Sequence, residues 1–195
     1  MSHKNFTCVG TDKALAYIRG DLRTATKSLF LVGPWLDDYV AEKIVQTAPQ
    51  TLSARILVRP KSQMQPDVWE RIMVALRLFA EHWTDCETRT LERLHAKCVC
   101  IDEQIAYVGS TNWYRYSLEQ SFEVVLRGPM DAIEGLDTEL EGLWEKGEKL
   151  KVPRGAAPPQ SSPTKGIARE ILDPIAAQKL RENPKAFVLG RKKRP

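Results

Sequence analysis

A chain of 195 residues, 43% hydrophobic and 28% charged, is long enough for one ordinary domain with a full core and too short for two. This is the composition of a soluble globular protein, and no apolar run approaches the roughly 20 residues of a bilayer span, which argues against integral membrane association. The net charge of +4 is unevenly held: residues 1–150 carry 18 Lys+Arg against 22 Asp+Glu, whereas residues 151–195 carry 11 against 3, so the basic character lies in the tail.

In chain order, the N-terminal stretch MSHKNFTCVGTDKALAYIRGD has no continuous apolar segment followed by a small-residue cleavage site, so no secretory signal is read and a cytoplasmic location is expected. From Asp12 to Thr26, Ala14, Leu15, Ile18, Leu22 and Ala25 keep helical spacing, and SLFLVGPW follows as a buried strand ended by Gly33-Pro34. Asp37 is placed to cap a second helix through Val40, Ile44 and Val45. ARILVRP then reads as another buried strand, completing a βαβ unit. Asp67 is expected to cap a third helix carrying Val68, Ile72, Leu76 and Phe79, after which CETRTLERLHAKCVCID resumes extended structure. A closing amphipathic helix is expected from Asp131, with Ile133, Leu136, Leu140, Leu143 and Trp144 on its apolar face and Gly135, Gly142 and Gly147 weakening it. The order β-α-β-α-β-β-α argues an α/β fold, a mixed sheet flanked by helices, over residues 1–150.

Residues 151–166, rich in Pro, Ser, Ala and Gly, read as a flexible linker, since they cannot bury enough apolar surface to offset their ordering entropy. Residues 167–195 form a basic tail with room for a short helix around Ile175 to Arg181, bounded by Pro174 and Pro184. Its terminal GRKKRP fits a nucleic-acid arm, a nuclear localisation signal or a solubilising tail. Four cysteines, Cys8, Cys86, Cys98 and Cys100, are too few and too irregularly spaced for a disulfide framework and include no C-x-x-C pair. Cys98 and Cys100 are read as core thiols.

The chemistry concentrates in LHAKCVCIDEQIAYVGSTNW. On a strand, His95 and Lys97 share a face with Val99 and Ile101, Asp102-Glu103-Gln104 supplies a turn, and IAYVG returns so that Ser110 and Asn112 fall just past its end with one parity. Such a hairpin gathers one nucleophile or acid/base, one fixed positive charge and two neutral polar groups, which suits a phosphate diester. No carboxylate or imidazole cluster has metal-ligand spacing, so neither a metal nor a cofactor is expected.

His95-x-Lys97-(x)4-Asp102, then Gly109-Ser110-x-Asn112 and Glu123 in SFEVVLRG, resembles the HKD signature of the phospholipase D superfamily, and the order of elements from about Asp12 to Leu150 resembles its small single-motif endonucleases. The resemblance implies a phosphodiesterase of that fold. His95 would be the nucleophile, forming a phosphohistidine, or the general acid. Lys97 and Asn112 would bind the non-bridging oxygens without a metal, with Ser110 supporting the anion site. Glu123 would orient His95 through its second ring nitrogen, and Asp102, part of the motif but off the phosphate, would be structural. The family mechanism uses two such motifs. His3 and His82 cannot complete a second one, so the resemblance implies a homodimer with both histidines at a two-fold interface.

Trp35, Trp113 and Tyr114 are candidates for stacking bases, and Arg59 and Lys61 for steering a phosphate backbone. Against these stand the plainer readings of core aromatics and a solvated loop. A nuclease acting on DNA or RNA leads, because the chain is small, has one motif and carries a basic tail. A phospholipid phosphodiesterase and a non-catalytic nucleic-acid-binding module of a larger assembly are the alternatives.

Overall fold

The computed structural model describes residues 6–155. His3, most of the linker and the whole 167–195 tail with its expected helix lie outside the described residues. The elements are β1 (Thr7–Gly10), α1 (Thr11–Leu22), β2 (Ser28–Val32), α2 (Asp38–Val45), β3 (Ser53–Val58), α3 (Pro66–His82), β4 (Cys86–Thr90), β5 (Cys98–Ile101), β6 (Ile105–Gly109), α4 (Arg115–Gln120), β7 (Val124–Pro129), α5 (Leu136–Lys146) and β8 (Glu148–Lys149).

One eight-stranded mixed sheet runs in the order β1-β7-β6-β5-β2-β3-β4-β8. β2, β3 and β4 are parallel, and the β5-β6-β7-β1 half is antiparallel. SLFLV and ARILV become the central strands because their apolar runs are buried on both faces, as parallel strands under helices require. The two faces carry separate cores. Leu29, Leu31, Ile56, Val58, Val99, Ile101 and Tyr107 meet the apolar stripes of α1, α2 and α3, with Ile18, Leu22, Ile44, Ile72, Leu76 and Phe79 among them. Phe30, Val32, Leu57, Cys98, Cys100 and Ala106 form the smaller layer under Leu140 and Trp144 of α5.

Several sequence expectations shift here. β1 precedes α1 although nothing in TCVG carries an apolar period; it exists because β7 offers an edge, pairing Cys8 with Leu126 and Val9 with Val125. The extended stretch from Cys86 to Asp102 is broken by an irregular segment, residues 91–97, so His95 and Lys97 lead into β5 and do not lie within it. α3 starts one residue before Asp67: Gln65 is the N-cap and Pro66 opens the helix, where its missing N–H costs nothing. The last helix begins at Leu136 after Gly135, held at φ 77°, leaving Ile133 outside it. Asp37 caps α2 as expected, accepting from Val40 N at 3.0 Å. Past Leu150, whose N–H donates to Thr88 O at 2.9 Å, the chain stays in contact with the domain as far as Arg154, which donates to Thr84 O at 2.9 Å.

The β5–β6 turn explains Asp102. Asp102 and Glu103 both have positive φ, 55° and 58°, the pattern of a hairpin turn matched to strand twist, and Asp tolerates it better than most residues. The Asp102 carboxylate then accepts from three successive backbone N–H groups, Thr26 (2.8 Å), Lys27 (2.8 Å) and Ser28 (3.0 Å), pinning the start of β2. Partial burial acts against its charge, but these donors outweigh it and hold the carboxyl below its ordinary 3.8. Asp102→Ala is therefore expected to cost about 2 kcal/mol in urea unfolding at neutral pH. A depressed folded value means that this contribution is present above 3.8 and fades as pH falls below it, so the wild-type advantage should shrink in acid.

Candidate active site

The site assembles at the end of the sheet where β2 and β6 stop and β5 begins. The 91–97 segment is held by Leu91 N on Val58 O (2.9 Å) and by Arg59, whose Nε donates to Leu94 O at 2.5 Å while its guanidinium lies 5.5 Å from the Trp35 ring centre. Arg59 therefore braces the backbone that delivers His95. Lys97 is 7% exposed; its Nζ sits 3.2 Å from Nδ1 and 3.1 Å from Nε2 of His95 and donates to the His95 carbonyl at 2.9 Å. A buried ammonium beside an exposed imidazole is a fixed positive charge in a weakly screened setting, where an anion gains more than in water.

β6 ends at Gly109, which pairs with Val125 and must be glycine because a Cβ there would lie 2.0 Å from Val124 O. Ser110 follows, with its N–H on Val124 O (3.0 Å) and its hydroxyl accepting from Val124 N (3.2 Å) while donating to Glu123. Ser117 donates to the other Glu123 oxygen at 2.9 Å and accepts from Asn112 N at 3.3 Å. Two hydroxyls thus orient the Glu123 carboxylate, and the Ser110 proton is used on that carboxylate. Asn112 is 9% exposed and its Oδ1 is buried with no hydrogen-bond partner, as is Thr111 Oγ1. Buried polar atoms left unsatisfied at a strand end are costly unless a ligand completes them. Sequence reasoning does not single out Thr111 or Ser117; the signal for Ser117, a small hydroxyl six residues before a motif glutamate, emerges only once α4 folds back.

The site residues named from sequence separate into groups. His95, Lys97, Ser110, Asn112 and Glu123 come from the two loops and the β7 start that meet at this sheet end. Asp102 lies at the other end of β5, in the turn. Trp35 (8% exposed) and Trp113 (1%) offer no free ring face, which corrects the expectation that bases stack on them: the Trp113 indole is core and donates to Val32 O at 2.8 Å. Tyr114 is half-buried and stacked on Tyr116, ring centres 6.5 Å apart. Lys61 is exposed in a single 3-10 turn after β3. Cys98 and Cys100 are buried, with their sulfurs 3.5 Å apart. Among the described residues no cluster of His, Cys, Asp and Glu is arranged to hold a metal ion. Beside His95 and Lys97 a groove of about 360 Å³ is lined by Ala96, Cys98, Val108, Leu136 and Leu140.

Comparison with known proteins agrees with this geometry. The family model described as "Cardiolipin synthase, PLD-like domain" matches residues 18–144. Nuc from Salmonella typhimurium, a phospholipase D family member, superposes with a TM-score of 0.63 at 12% identity, covering 76% of this chain and 99% of its own. NucT from Helicobacter pylori gives 0.60 at 14% identity over 75% and 99%. The phosphatidylserine synthase of Haemophilus influenzae Rd KW20 gives 0.58 at 13% identity, covering 74% of this chain and 39% of that enzyme. No curated protein matches the chain in sequence. A PLD-like family model matched over most of the described residues, on a mixed sheet shared with Nuc and NucT, supports an enzyme of the phosphodiesterase type, and the chain belongs to the phospholipase D superfamily.

Proposed function

We propose that the protein is a nuclease of this superfamily, hydrolysing nucleic-acid phosphodiesters without a metal in a homodimeric site. The observation that carries the reading is the buried Lys97 ammonium against His95, at the sheet end where Ser110 and Ser117 hold Glu123. The His95 imidazole of one copy attacks phosphorus, forming a P–N bond as the P–O bond to the leaving group breaks, and the histidine of the second copy protonates the departing oxygen. That second histidine then takes a proton from water, which attacks phosphorus, breaks the P–N bond and releases the product. Lys97 and the Asn112 amide, turned so that its NH2 faces the anion, stabilise the non-bridging oxygens. Glu123, held by Ser110 and Ser117, orients the imidazole and fixes which ring nitrogen faces phosphorus.

A second copy is supported by what surrounds Glu123. Val124 and Leu126 are large hydrophobics exposed at alternate positions of β7, Phe122 is exposed just before that strand, and the exposed Cys8 of β1 lies opposite Leu126. Such a row on a sheet next to a half-equipped site suits burial against its own copy.

A phospholipid diester is the second reading, favoured by the apolar groove of Ala96, Cys98, Val108, Leu136 and Leu140 opening beside His95. No described helix is long and apolar enough to cross a membrane. A panel of single- and double-stranded DNA, RNA and phospholipid vesicles, each with excess EDTA, decides between them: cleavage of nucleic acid alone is expected, and turnover restricted to vesicles would overturn the nuclease assignment.

In the same assay His95→Ala should abolish turnover with unchanged circular dichroism, and Lys97→Ala should lower kcat by on the order of 10²-fold or more. An absolute requirement for an added divalent ion would refute the mechanism. Co-refolding wild type with an equal amount of His95→Ala should leave about a quarter of the activity, since a heterodimer lacks one histidine; retention of half would indicate independent sites, as would a fully active monomer in light scattering.

Removing residues 156–195, which hold 9 Lys+Arg against 3 Asp+Glu, spares the Arg154 contact. The truncated protein should bind long oligonucleotides more weakly, with a flatter dependence of log affinity on log salt, and should cleave a small diester as before. Coincident slopes would point to a role for the tail other than nucleic-acid binding.

A further inference from the structure

The 110–115 loop carrying Ser110 and Asn112 is joined to the 33–37 loop after β2 by a short ladder. Trp113 N donates to Trp35 O (3.2 Å), Asp37 N donates to Trp113 O (3.2 Å), and Leu36 and Trp113 form an isolated parallel bridge. The ladder ends on a side chain. Asp37, 6% exposed, accepts from Val40 N at 3.0 Å through Oδ1 and from Arg115 N at 2.8 Å through Oδ2. An N-cap needs only the first of these bonds. The second spans 78 residues of sequence and fixes the chain three positions beyond Asn112.

We propose that Asp37 is a positioning residue for the phosphate site, a clamp whose two carboxylate oxygens hold the Asn112 loop against the N-terminus of α2. The proposal rests on the phosphodiester reading for its consequence, and on geometry alone for the clamp. Only the ionised carboxylate offers both oxygens as full acceptors; a proton on either one weakens the hydrogen bond made there. Burial pushes the carboxyl up to about 6, against the Arg115 and Val40 donors, with Asp38 adding to the rise and Arg71 opposing it. The other ionisable neighbours are Tyr39 on α2 and the Arg115 side chain, which pairs with Glu119.

Because the folded value lies above the ordinary 3.8, the stability contribution of this group is full below 3.8 and is lost as pH rises through about 6. Protonation near pH 6 therefore weakens one of the two hydrogen bonds inside the folded clamp without opening it, because the buried state has the higher proton affinity.

The discriminating variant is Asp37→Asn, because Asn caps a helix as well as Asp while one of its two terminal atoms is a donor that cannot accept from Arg115. Both proteins are made on a His95→Ala background, so that the active-site imidazole does not contribute to the titration, and are followed by 15N NMR with inorganic phosphate as the probe. With Asp37 present, the Arg115 backbone amide and the Asn112 side-chain amide should shift together with a midpoint near 6, and phosphate should shift the Asn112 resonances above that pH. In the Asp37→Asn protein the pH step should vanish and phosphate affinity should fall about tenfold, at an unchanged thermal midpoint. Resonances and phosphate affinity indifferent to Asp37→Asn would overturn the clamp, as would losses that appear only together with a lowered thermal midpoint. A pH step with no response to phosphate at any pH would sink the phosphodiester reading while leaving the clamp in place.

Discussion

The indole of Trp113 seated on Gly33 is the contact that holds the two site loops in place. A Cβ at position 33 would lie 2.5 Å from Trp113 Cδ1, so the loop after β2 can pass under the ring only as glycine. The indole N–H reaches Val32 O, and the main chain on either side is caught by Trp35 and Asp37. β6 and β2 are not neighbours in the sheet; β5 lies between them. The Trp113 wedge therefore carries the chain across the end of β5, which is where Lys97 enters that strand. Asn112 is fixed at this end of the sheet because a large apolar side chain one residue later has a buried seat waiting for it.

That arrangement separates the cost of the site from its benefit. A buried ammonium, an unsatisfied amide oxygen and an unsatisfied threonine hydroxyl are each unfavourable in an empty protein. They are tolerated because the surrounding scaffold is heavily over-determined: two apolar layers clamp the central strands, Arg59 and Arg115 N are committed to loop backbone and cap, and Glu123 is fixed by two serines. Electrostatic preorganisation of this kind puts the expense into folding, so that little rearrangement remains for the moment when charge develops on phosphate.

The two ends of the β5–β6 hairpin divide the labour. At the turn, Asp102 gathers the N–H groups of Thr26, Lys27 and Ser28 and fixes the register of β5 beside β2. At the open end, the same register delivers Lys97 beside Gly109, whose N–H lies 3.4 Å from Lys97 O. A shift of one residue would turn every side chain of the strand to the opposite face. An aspartate at the far end of the hairpin thus acts on the His95 and Lys97 end by setting the register of β5.

The central strands, the helices that flank them and the main chemical pieces were legible in the chain before folding. SLFLV and ARILV are too apolar and too short to be anything but buried strands, the 3.6-residue stripes of α1 and α3 have one face each, and His95-x-Lys97 with Ser110, Asn112 and Glu123 carries the resemblance to the superfamily. The remaining features depend on partners distant in sequence and become visible only in the folded chain. β1 forms on an edge supplied by β7. Trp35 and Trp113 are spent on packing where sequence alone allowed them to face a base. Ser117 becomes a support for Glu123 once α4 turns back, and Asp37, legible as a cap from its neighbours, gains its second partner from a residue 78 positions away. Local periodicity reports what a segment will bury; it carries no information about which of two buried loops will meet, since that is fixed by the packing of the sheet between them.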